Sequence, residues 1–452
     1  MAPTPTVAEA QASAPPRPKG RGLFSRTLGW RDPPSDLELV QAAYVLRHGE
    51  RTPVRRRLTT ADPPIPSTWN LCHVSRDFER SVLHMVGSDH LPTMTQIQRR
   101  IEVAGQPGEG PEIGRQGDCL LGELTDRGRI SMLRLGQALR KRYIDDEHLL
   151  PHQFEERDQA KLYLRSTAMG RTIQSLDQVI AGLLGPQIRT FVPHEYIRNP
   201  LDEDMLPNPR TCPRLHKLMQ KFAAEAARLY NPQLASYDQF VAPSDCGHVP
   251  RVNASPAVSG LIDTIWAMQA HDLPIPTAFQ HSPLLRLMER AVLHEWFGGY
   301  RAPDPDERRQ YRRLALGPFV ERLYRPMERR AMRGEAEPLR LSVFLGHDAT
   351  LVGLCHILDV FNDRWPAFHA GVALELFHDR QETAPVTEQH WPGYFVRCRY
   401  GDEELQLPGC RAAGQHYPGR PELCTLDAFR AVVIDRLQHP DQLTFQDECT
   451  MI

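Results

Sequence analysis

Short apolar runs alternate with segments of helical period along much of this 452-residue chain. The runs have the length of buried strands and lie at 37–46, 161–164, 341–345, 372–377 and 394–400. Segments with apolar residues at helical spacing come after the first three runs, at 125–143, 171–184 and 351–360. Because strands that alternate with helices form layered α/β folds, we predict a three-layer α/β/α sandwich with a mainly parallel sheet.

The middle of the chain has a different pattern. Residues 200–313 contain helical patches that are separated by proline-rich links. We predict that this segment is a mainly helical cap inserted into the α/β core. A further helical pattern at 307–332 contains the pair Gly317-Pro318, where we expect a kink.

Composition divides the rest of the chain. Residues 1–36 are rich in Ala, Pro and Thr and then in Arg and Lys, which predicts a disordered tail. Residues 66–119 carry many Pro, Gly and His without a clear period, so we expect an irregular excursion over the core. The α/β core is then predicted at 37–65, 120–199 and 314–452.

Polar side chains come directly after three of the strand-like runs. They are Arg47, His48 and Arg51, then Arg165, and finally His347 with Asp348. In open α/β sheets, ligands bind where the strands end, and the helix N-termini that follow favour anions. Guanidinium groups match phosphate oxygens in charge and geometry. The sequence therefore predicts a phosphate site at this edge of the sheet.

The same side chains supply the groups that hydrolysis of a phosphate monoester requires. Such a monoester is a dianion, so several fixed cations are needed to hold it and its transition state. A neutral imidazole can attack phosphorus and form a phosphohistidine. A protonated carboxyl group can donate a proton to the leaving oxygen. Each required role is present, which indicates a phosphoryl-transfer enzyme.

Three motifs occur in a fixed order along the chain. They are Arg47-His48-Gly49-Glu50-Arg51-Thr52-Pro53, Arg165-Ser166-Thr167 and His347-Asp348. In these motifs the sequence resembles the histidine acid phosphatase family, part of the phosphoglycerate-mutase-like superfamily, over about 37–429. The resemblance implies a phosphoglycerate-mutase-like fold and a phosphatase that works through a phosphohistidine.

The resemblance also implies a role for each motif residue. By matching position, His48 is the nucleophile, and Asp348 is the proton donor that later assists water. The residues that would bind the phosphoryl oxygens are Arg47, Arg51, Arg165 and His347. No metal and no cofactor is implied, since arginines take the role that a metal would otherwise serve. This chain has Ala168 where many relatives carry an acidic residue, which bears on how Arg165 is positioned.

Several residues outside the motifs are expected to have structural or surface roles. Arg171, six residues after Arg165, is expected to be a charge on the helix surface. The aromatic residues Trp266, Trp296 and Phe297 are expected in the core of the cap, with a channel for an acyl chain as the alternative.

The expected partner is a small-molecule phosphate monoester. Stretches similar to family members that act on lysophosphatidic acid, such as 269–274 and 365–368, favour a lysophospholipid of that kind. The alternatives are a phosphatase for inositol phosphates or sugar phosphates and a non-catalytic phosphate-binding relative. The His347-Asp348 pair also occurs in all-helical metal phosphohydrolases, but here it follows a strand.

Charge, hydropathy and cysteine spacing argue against several other classes of protein. The net charge of -2 gives no field that favours nucleic acid, and no run reaches the roughly 18 apolar residues of a membrane helix. Nine cysteines occur without a Cys-x-x-Cys pair. The N-terminal residues lack the apolar core of a secretory signal, so we expect an intracellular, cytoplasmic or mitochondrial location. Cysteine pairing and oligomeric state stay open.

Overall fold

The computed structural model describes residues 33–79, 81–86, 91–97, 100–103, 112–241 and 249–451. The tail predicted at 1–36 therefore lies almost wholly outside the described residues. The strands are β1 (Leu37–Arg47), β2 (Ser81–Val86), β3 (Leu91–Gln96), β4 (Glu102–Val103), β5 (Glu112–Ile113), β6 (Leu162–Ser166), β7 (Glu195–Ile197), β8 (Leu341–Gly346), β9 (Gly371–Asp379), β10 (Tyr394–Tyr400), β11 (Glu403–Leu405), β12 (His416–Tyr417) and β13 (Arg420–Thr425).

The described helices of ten or more residues agree in position with the predicted helical segments, whereas the four shorter ones were not predicted. They are α1 (His73–Glu79), α2 (Asp126–Arg140), α3 (Gly170–Leu184), α4 (Pro213–Ala235), α5 (Asp238–Val241), α6 (Val258–Ala270), α7 (Ser282–Phe297), α8 (Pro305–Arg333), α9 (Asp348–Ile357), α10 (Leu426–Phe429) and α11 (Phe445–Thr450). None of these described helices is both long and apolar enough to cross a bilayer.

The central sheet has nine strands, in the order β12-β13-β10-β9-β1-β8-β6-β7, with β11 paired to β10. Strands β1, β8, β6 and β7 are parallel, whereas β9, β10, β13 and β12 pair antiparallel. The α/β class is confirmed, but the sheet is mixed instead of mainly parallel. The chain returns from β9 to β10 through a connection without a crossover helix, and such a connection joins antiparallel strands.

Helices cover both faces of this sheet. Successive side chains of a strand point to opposite faces, and β1 shows this clearly. Tyr44 and Leu46 belong to the apolar core under α2 and α3, whereas Val45 belongs to the core under α8 and α9. The three-layer arrangement therefore follows from the nearly uniform apolar character of β1, since both of its faces are buried.

Helices α6 and α7, in the segment predicted as cap, share a third apolar cluster with earlier parts of the chain. Buried residues of α6 and α7, such as Leu261 and Val292, pack with Leu58 and Trp69 from the chain before α1. The segment expected to be irregular, 66–119, contains α1 and the antiparallel pairs β2–β3 and β4–β5. Helix α8 runs through Gly317 and Pro318 and across the predicted cap boundary at 313, so the division into core and cap stays a prediction.

Three disulfides answer the question of cysteine pairing that the sequence left open. They join Cys72 to Cys119, Cys212 to Cys449 and Cys410 to Cys424. Cys355 and Cys398 are buried free thiols, and Cys246 lies outside the described residues. The second bridge ties the start of α4 to α11 near the end of the chain.

Candidate active site

The three strand ends that the sequence singled out lie side by side. Strand β8 pairs with β1 on one side, with Arg47 opposite Gly346, and with β6 on the other, with Ser166 opposite Leu345. Gly49 then brings the chain against the start of α2, where a Cβ atom would lie only 2.7 Å from the Gly128 carbonyl oxygen. The glycine of the Arg-His-Gly motif is therefore required by close packing of two backbones.

His48 is held in one tautomer beside these strand ends. Its Nδ1 lies 2.9 Å from the carbonyl oxygen of Gly49, which can only accept, so Nδ1 carries the proton and Nε2 keeps its lone pair. The side chain is 1% exposed, and burial, followed by the charges of Arg171 and Arg47, holds its pKa well below the ordinary value. The ring is therefore neutral even in mildly acidic solution.

Two of the arginines that were expected to bind phosphate lie beside His48, and each also contacts other groups of the protein. The Arg47 guanidinium lies 2.9 Å from Asp348, donates to the Pro366 carbonyl and stacks 4.2 Å from the centre of the Phe368 ring. Arg51 forms a 2.6 Å ion pair with Asp263 of α6 and donates to the Thr52 carbonyl. Helix α6, in the segment predicted as cap, therefore contacts the motif directly through a carboxylate.

His347 and Asp348 begin α9 at the end of β8. The His347 ring lies 5.4 Å from the His48 ring, and its Nε2 lies 2.9 Å from the Thr167 hydroxyl. Burial, followed by the charge of Arg171, lowers the pKa of His347 to about 3, so this ring is neutral. Burial raises the pKa of Asp348, but the charges of Arg47 and Arg51 and the backbone N–H of Ala349 together leave it below the ordinary value.

Arg171 is a member of this cluster, and the prediction that it is a surface charge is wrong. Burial, followed by the charge of Arg51, lowers the pKa of its guanidinium to about 10. Its charge also acts on His48 and His347 more strongly than any other cation. Arg171 lies in the first turn of α3, and helix side chains lean towards the N-terminus, which here means towards the strand ends.

Arg165 occupies a different environment. Its guanidinium is fully buried, with Nη2 2.5 Å from Glu203 and Nη1 2.7 Å from Asp204. It is not among the leading charges that act on His48, His347 or Asp348. Leu164 points into the core under α2 and α3, so its neighbour Arg165 points to the opposite face of the sheet. The structure therefore pairs Arg165 with two carboxylates, and Arg171 is the third guanidinium at the site.

The site contains residues that the sequence motifs did not indicate. It brings together Arg47, His48, Arg51, Arg171, His347 and Asp348, with Asp263 and Phe368 beside the arginines. Asp263 carried no local sequence signal, because its contact with Arg51 spans 212 positions. Phe368 lies in a stretch that was singled out for substrate preference, but its contact with Arg47 was not expected.

A metal cation does not suit this cluster. Three guanidiniums around His48 repel a second cation and attract an anion. Elsewhere in the described part of the chain, Cys72, Cys119 and Glu123 lie at ligand spacing, but the two sulfur atoms are bonded to each other and are not free thiolates. The chemistry that this site can perform is the binding of a tetrahedral anion with attack by a neutral imidazole and proton transfer from a carboxyl group.

The family assignment agrees with this geometry. The model for branch 2 of the histidine phosphatase superfamily matches residues 38–400, so the chain belongs to that family. Within it, the chain is a histidine acid phosphatase: it is 31% identical over 447 residues to a probable acid phosphatase of Schizosaccharomyces pombe, with 89% of this chain and 92% of that protein covered. It is also 25% identical to lysophosphatidic acid phosphatase type 6 of Homo sapiens, with 87% of this chain and 82% of the human protein covered.

Solved structures show the same fold at lower identity. A Hafnia alvei phytase in complex with myo-inositol hexakis sulphate has a TM-score of 0.55 at 15% identity, covering 91% of this chain and 100% of that chain. A Bifidobacterium longum multiple inositol polyphosphate phosphatase in complex with phosphate also has a TM-score of 0.55, at 12% identity, covering 91% and 95%. These likenesses support the fold.

Proposed function

We propose that this acid phosphatase hydrolyses phosphate monoesters in two steps through His48, with a lysophosphatidic-acid-like lipid phosphate as substrate. The observation that carries the mechanism is the tautomer of His48. Its Nδ1 proton is directed to the Gly49 carbonyl, so the Nε2 lone pair is available to attack phosphorus. The guanidiniums of Arg47, Arg51 and Arg171 would balance the charge of the phosphoryl oxygens.

The proposed first step forms a bond from Nε2 of His48 to phosphorus and breaks the ester bond. Asp348, in its protonated form, gives its proton to the leaving oxygen, so the alcohol departs neutral. In the second step, the Asp348 carboxylate takes a proton from water while the water oxygen attacks the phosphohistidine. Inorganic phosphate leaves, and His48 returns to its neutral form. His347, held neutral by burial, would orient the phosphoryl group by hydrogen bonding.

Asp348 must gain a proton for this mechanism, although Arg47 favours its charged form. A bound phosphoryl group competes with Asp348 for Arg47, because both are anions and the guanidinium is 2.9 Å from the carboxylate. The negative charge of the substrate also disfavours a second negative charge nearby. Substrate binding would therefore raise the pKa of Asp348 and convert it into a proton donor.

We expect a bell-shaped pH profile for kcat/KM, displaced to the acid side. His48 must be neutral, so activity is lost as the pH falls through its pKa, which lies well below 6.5. Asp348 must be protonated, so activity is lost as the pH rises through its lowered pKa. Profiles of kcat and kcat/KM measured with one substrate test this, since kcat/KM reports free enzyme and kcat reports the complex. The alkaline limb of kcat should lie at higher pH, and a kcat/KM profile that is flat from acid to alkaline pH would contradict the assignment.

Removal of Arg171 should mainly reduce activity, whereas removal of Arg165 should mainly reduce stability. Arg171→Ala is expected to lower kcat/KM by about 10²–10³-fold, because one fixed cation at the phosphoryl group is lost. It should also move the acid limb of the profile to higher pH, since Arg171 lowers the pKa of His48. Arg165→Ala leaves the buried Glu203 without its ion-pair partner, whereas Asp204 keeps Arg198 and Arg322. It should reduce stability to unfolding by about 3–5 kcal/mol.

Denaturant unfolding and steady-state kinetics on both variants separate these effects. Arg171→Lys provides the matched control, because it keeps the charge and loses the fork geometry, and it should recover part of the activity. The assignment of Arg171 fails if Arg171→Ala retains wild-type kcat/KM while folded Arg165→Ala loses it.

The lipid part of the proposal rests on two observations. One relative, at 25% identity, is a lysophosphatidic acid phosphatase. In addition, the rings of Trp266 and Trp296 pack against Trp365, and Trp296 is 41% exposed. Trp365 directly precedes Pro366, whose carbonyl accepts a hydrogen bond from Arg47. These rings offer an apolar surface to the leaving group of the ester.

Inositol or sugar phosphates are the second candidate class. The exposed Arg55 and Arg56, with the half-buried Arg57, follow the motif and would attract further phosphate groups. A panel of lysophosphatidic acids, inositol phosphates and sugar phosphates ranked by kcat/KM tests the choice. A higher value for inositol polyphosphates than for any lipid phosphate would overturn the lipid proposal and leave the phosphohistidine mechanism intact.

The compartment is also a proposal. Disulfides persist in oxidising compartments, and the described part of the chain contains three of them. We infer that the protein works in such a compartment and not in the reducing one expected from the sequence.

A further inference from the structure

A second cavity of about 420 Å³ lies between α4, α7 and the chain that follows α9. Its volume is in the range of small-molecule sites. The apolar part of its wall is largely aromatic and comprises Phe222, Tyr230, Leu293, Phe297 and Phe361. Asp348 begins α9 and His356, in the cavity wall, lies in its last turn, so about 12 Å of helix separates the cavity from the proposed proton donor. No phosphate-binding residue lines it.

Two arginines line the cavity, and they differ in how they are paired. Arg301 forms an ion pair with Asp363 and lies 5.4 Å from the centre of the Phe361 ring. Arg290 is exposed on α7, and within the described part of the chain no carboxylate lies at ion-pair distance from it. Arg290 is therefore a cation that is available to an incoming anion.

The other polar groups limit the ligand further. The His356 ring stacks on Tyr300, with ring centres 5.4 Å apart, and burial lowers its pKa to about 3, so it offers hydrogen bonds and no charge. Glu225 also lines the cavity. Its carboxylate can accept from an N–H or O–H group of a ligand but repels a second anionic group. One free cation and one free carboxylate suit a ligand with a single negative charge.

We propose that this cavity is a second binding site, for a small organic monoanion with a flat aromatic body. The anionic group would bind Arg290. The body would lie against Phe297 and Phe361, because aromatic rings pack favourably in offset or edge arrangements. The site is separate from the phosphate cluster and would be occupied together with it.

Fluorescence titration of the full chain with 8-anilinonaphthalene-1-sulfonate, an aromatic monosulfonate, tests the proposal. The titration is run with and without saturating inorganic phosphate, which occupies the catalytic site as product. We expect one saturable site per chain that phosphate does not displace. Arg290→Glu should weaken this binding by about tenfold or more, because a charge-assisted contact is replaced by repulsion.

Arg286→Glu is the matched control. Arg286 is exposed one turn earlier on the same helix and does not line the cavity, so its reversal changes net charge equally. It should leave the dissociation constant within about twofold of wild type, since it removes no contact with the ligand. Both variants should keep wild-type phosphatase activity. The proposal is overturned if phosphate displaces the probe, if both reversals weaken binding equally, or if Arg290→Glu leaves binding unchanged.

Discussion

Replacing His48 with alanine is expected to lower kcat by about 10⁴-fold or more, because the covalent route through a phosphohistidine is then closed. The effect should fall on kcat more than on KM, since the cations that bind phosphate remain in place. The measurement is hydrolysis of an aryl phosphate, combined with alkaline-quench trapping of enzyme labelled from a radioactive substrate. Wild-type enzyme should give an acid-labile, alkali-stable phosphoryl adduct, and His48→Ala should give none.

His194→Ala provides a matched control for this experiment. His194 is exposed and remote in sequence from the motifs, so its loss removes an imidazole without touching the proposed chemistry. It should retain wild-type kcat and the trapped adduct. Substantial turnover or adduct formation by folded His48→Ala would refute the assignment of the nucleophile.

The second large effect concerns Asp348 and depends on the leaving group. Asp348→Asn should lower the rate of the first step by about 10²–10⁴-fold for an alkyl phosphate, because the leaving alkoxide then departs without a proton. For an activated aryl phosphate the first step should be far less affected, since a nitrophenolate is stable without protonation. The second step should slow for both substrates, because water loses its base.

Rapid-mixing kinetics distinguish the two steps. With p-nitrophenyl phosphate, Asp348→Asn should release one equivalent of nitrophenolate per site in a burst and then turn over slowly, while the phosphohistidine accumulates. With an alkyl phosphate, no intermediate should accumulate. An equal loss of first-step rate for both substrates would show that Asp348 does not act as the proton donor.

The main lines of the fold were readable from local pattern. The run that became β1 is apolar at nearly every position, which indicates a strand buried on both faces. The direction of β9 and β10 was not readable, because strand direction depends on the length and content of a connection and not on the strand itself. The excursion at 66–119 lacked a period, and its strands are two to six residues long, too short to give a clear one.

The site was predicted best where the motif and the chemistry coincide on one short segment, as at His48 and Asp348. Arg165 of the middle motif and Arg171, six residues further on, show where prediction from the sequence fails. Arg165 and Arg171 lie on either side of the same turn. Their order in the sequence therefore does not reveal which one points towards His48 and the proposed phosphate site. The period of two along β6 contained that information, since Leu164 is an apolar core residue and Arg165 must point the other way.

The contact between Asp263 and Arg51 could not be predicted from the sequence. It depends on how α6 packs against the strand ends of the sheet, and the two residues are 212 positions apart. A carboxylate on a cap helix is most often a solvated surface charge, and only the assembled fold places this one 2.6 Å from a guanidinium of the motif.

The bridge between Cys212 and Cys449 has a consequence for limited proteolysis. It closes a covalent ring over 237 positions that contains the cap helices and the His347-Asp348 pair, while His48 lies on the stretch before it. A single cut inside the ring leaves both fragments joined, so the nicked protein should migrate as one species without reductant and as two with it. In an oxidising environment, a protease could therefore cleave the chain within the ring without releasing a fragment. The cleaved molecule would still carry every group of its active site.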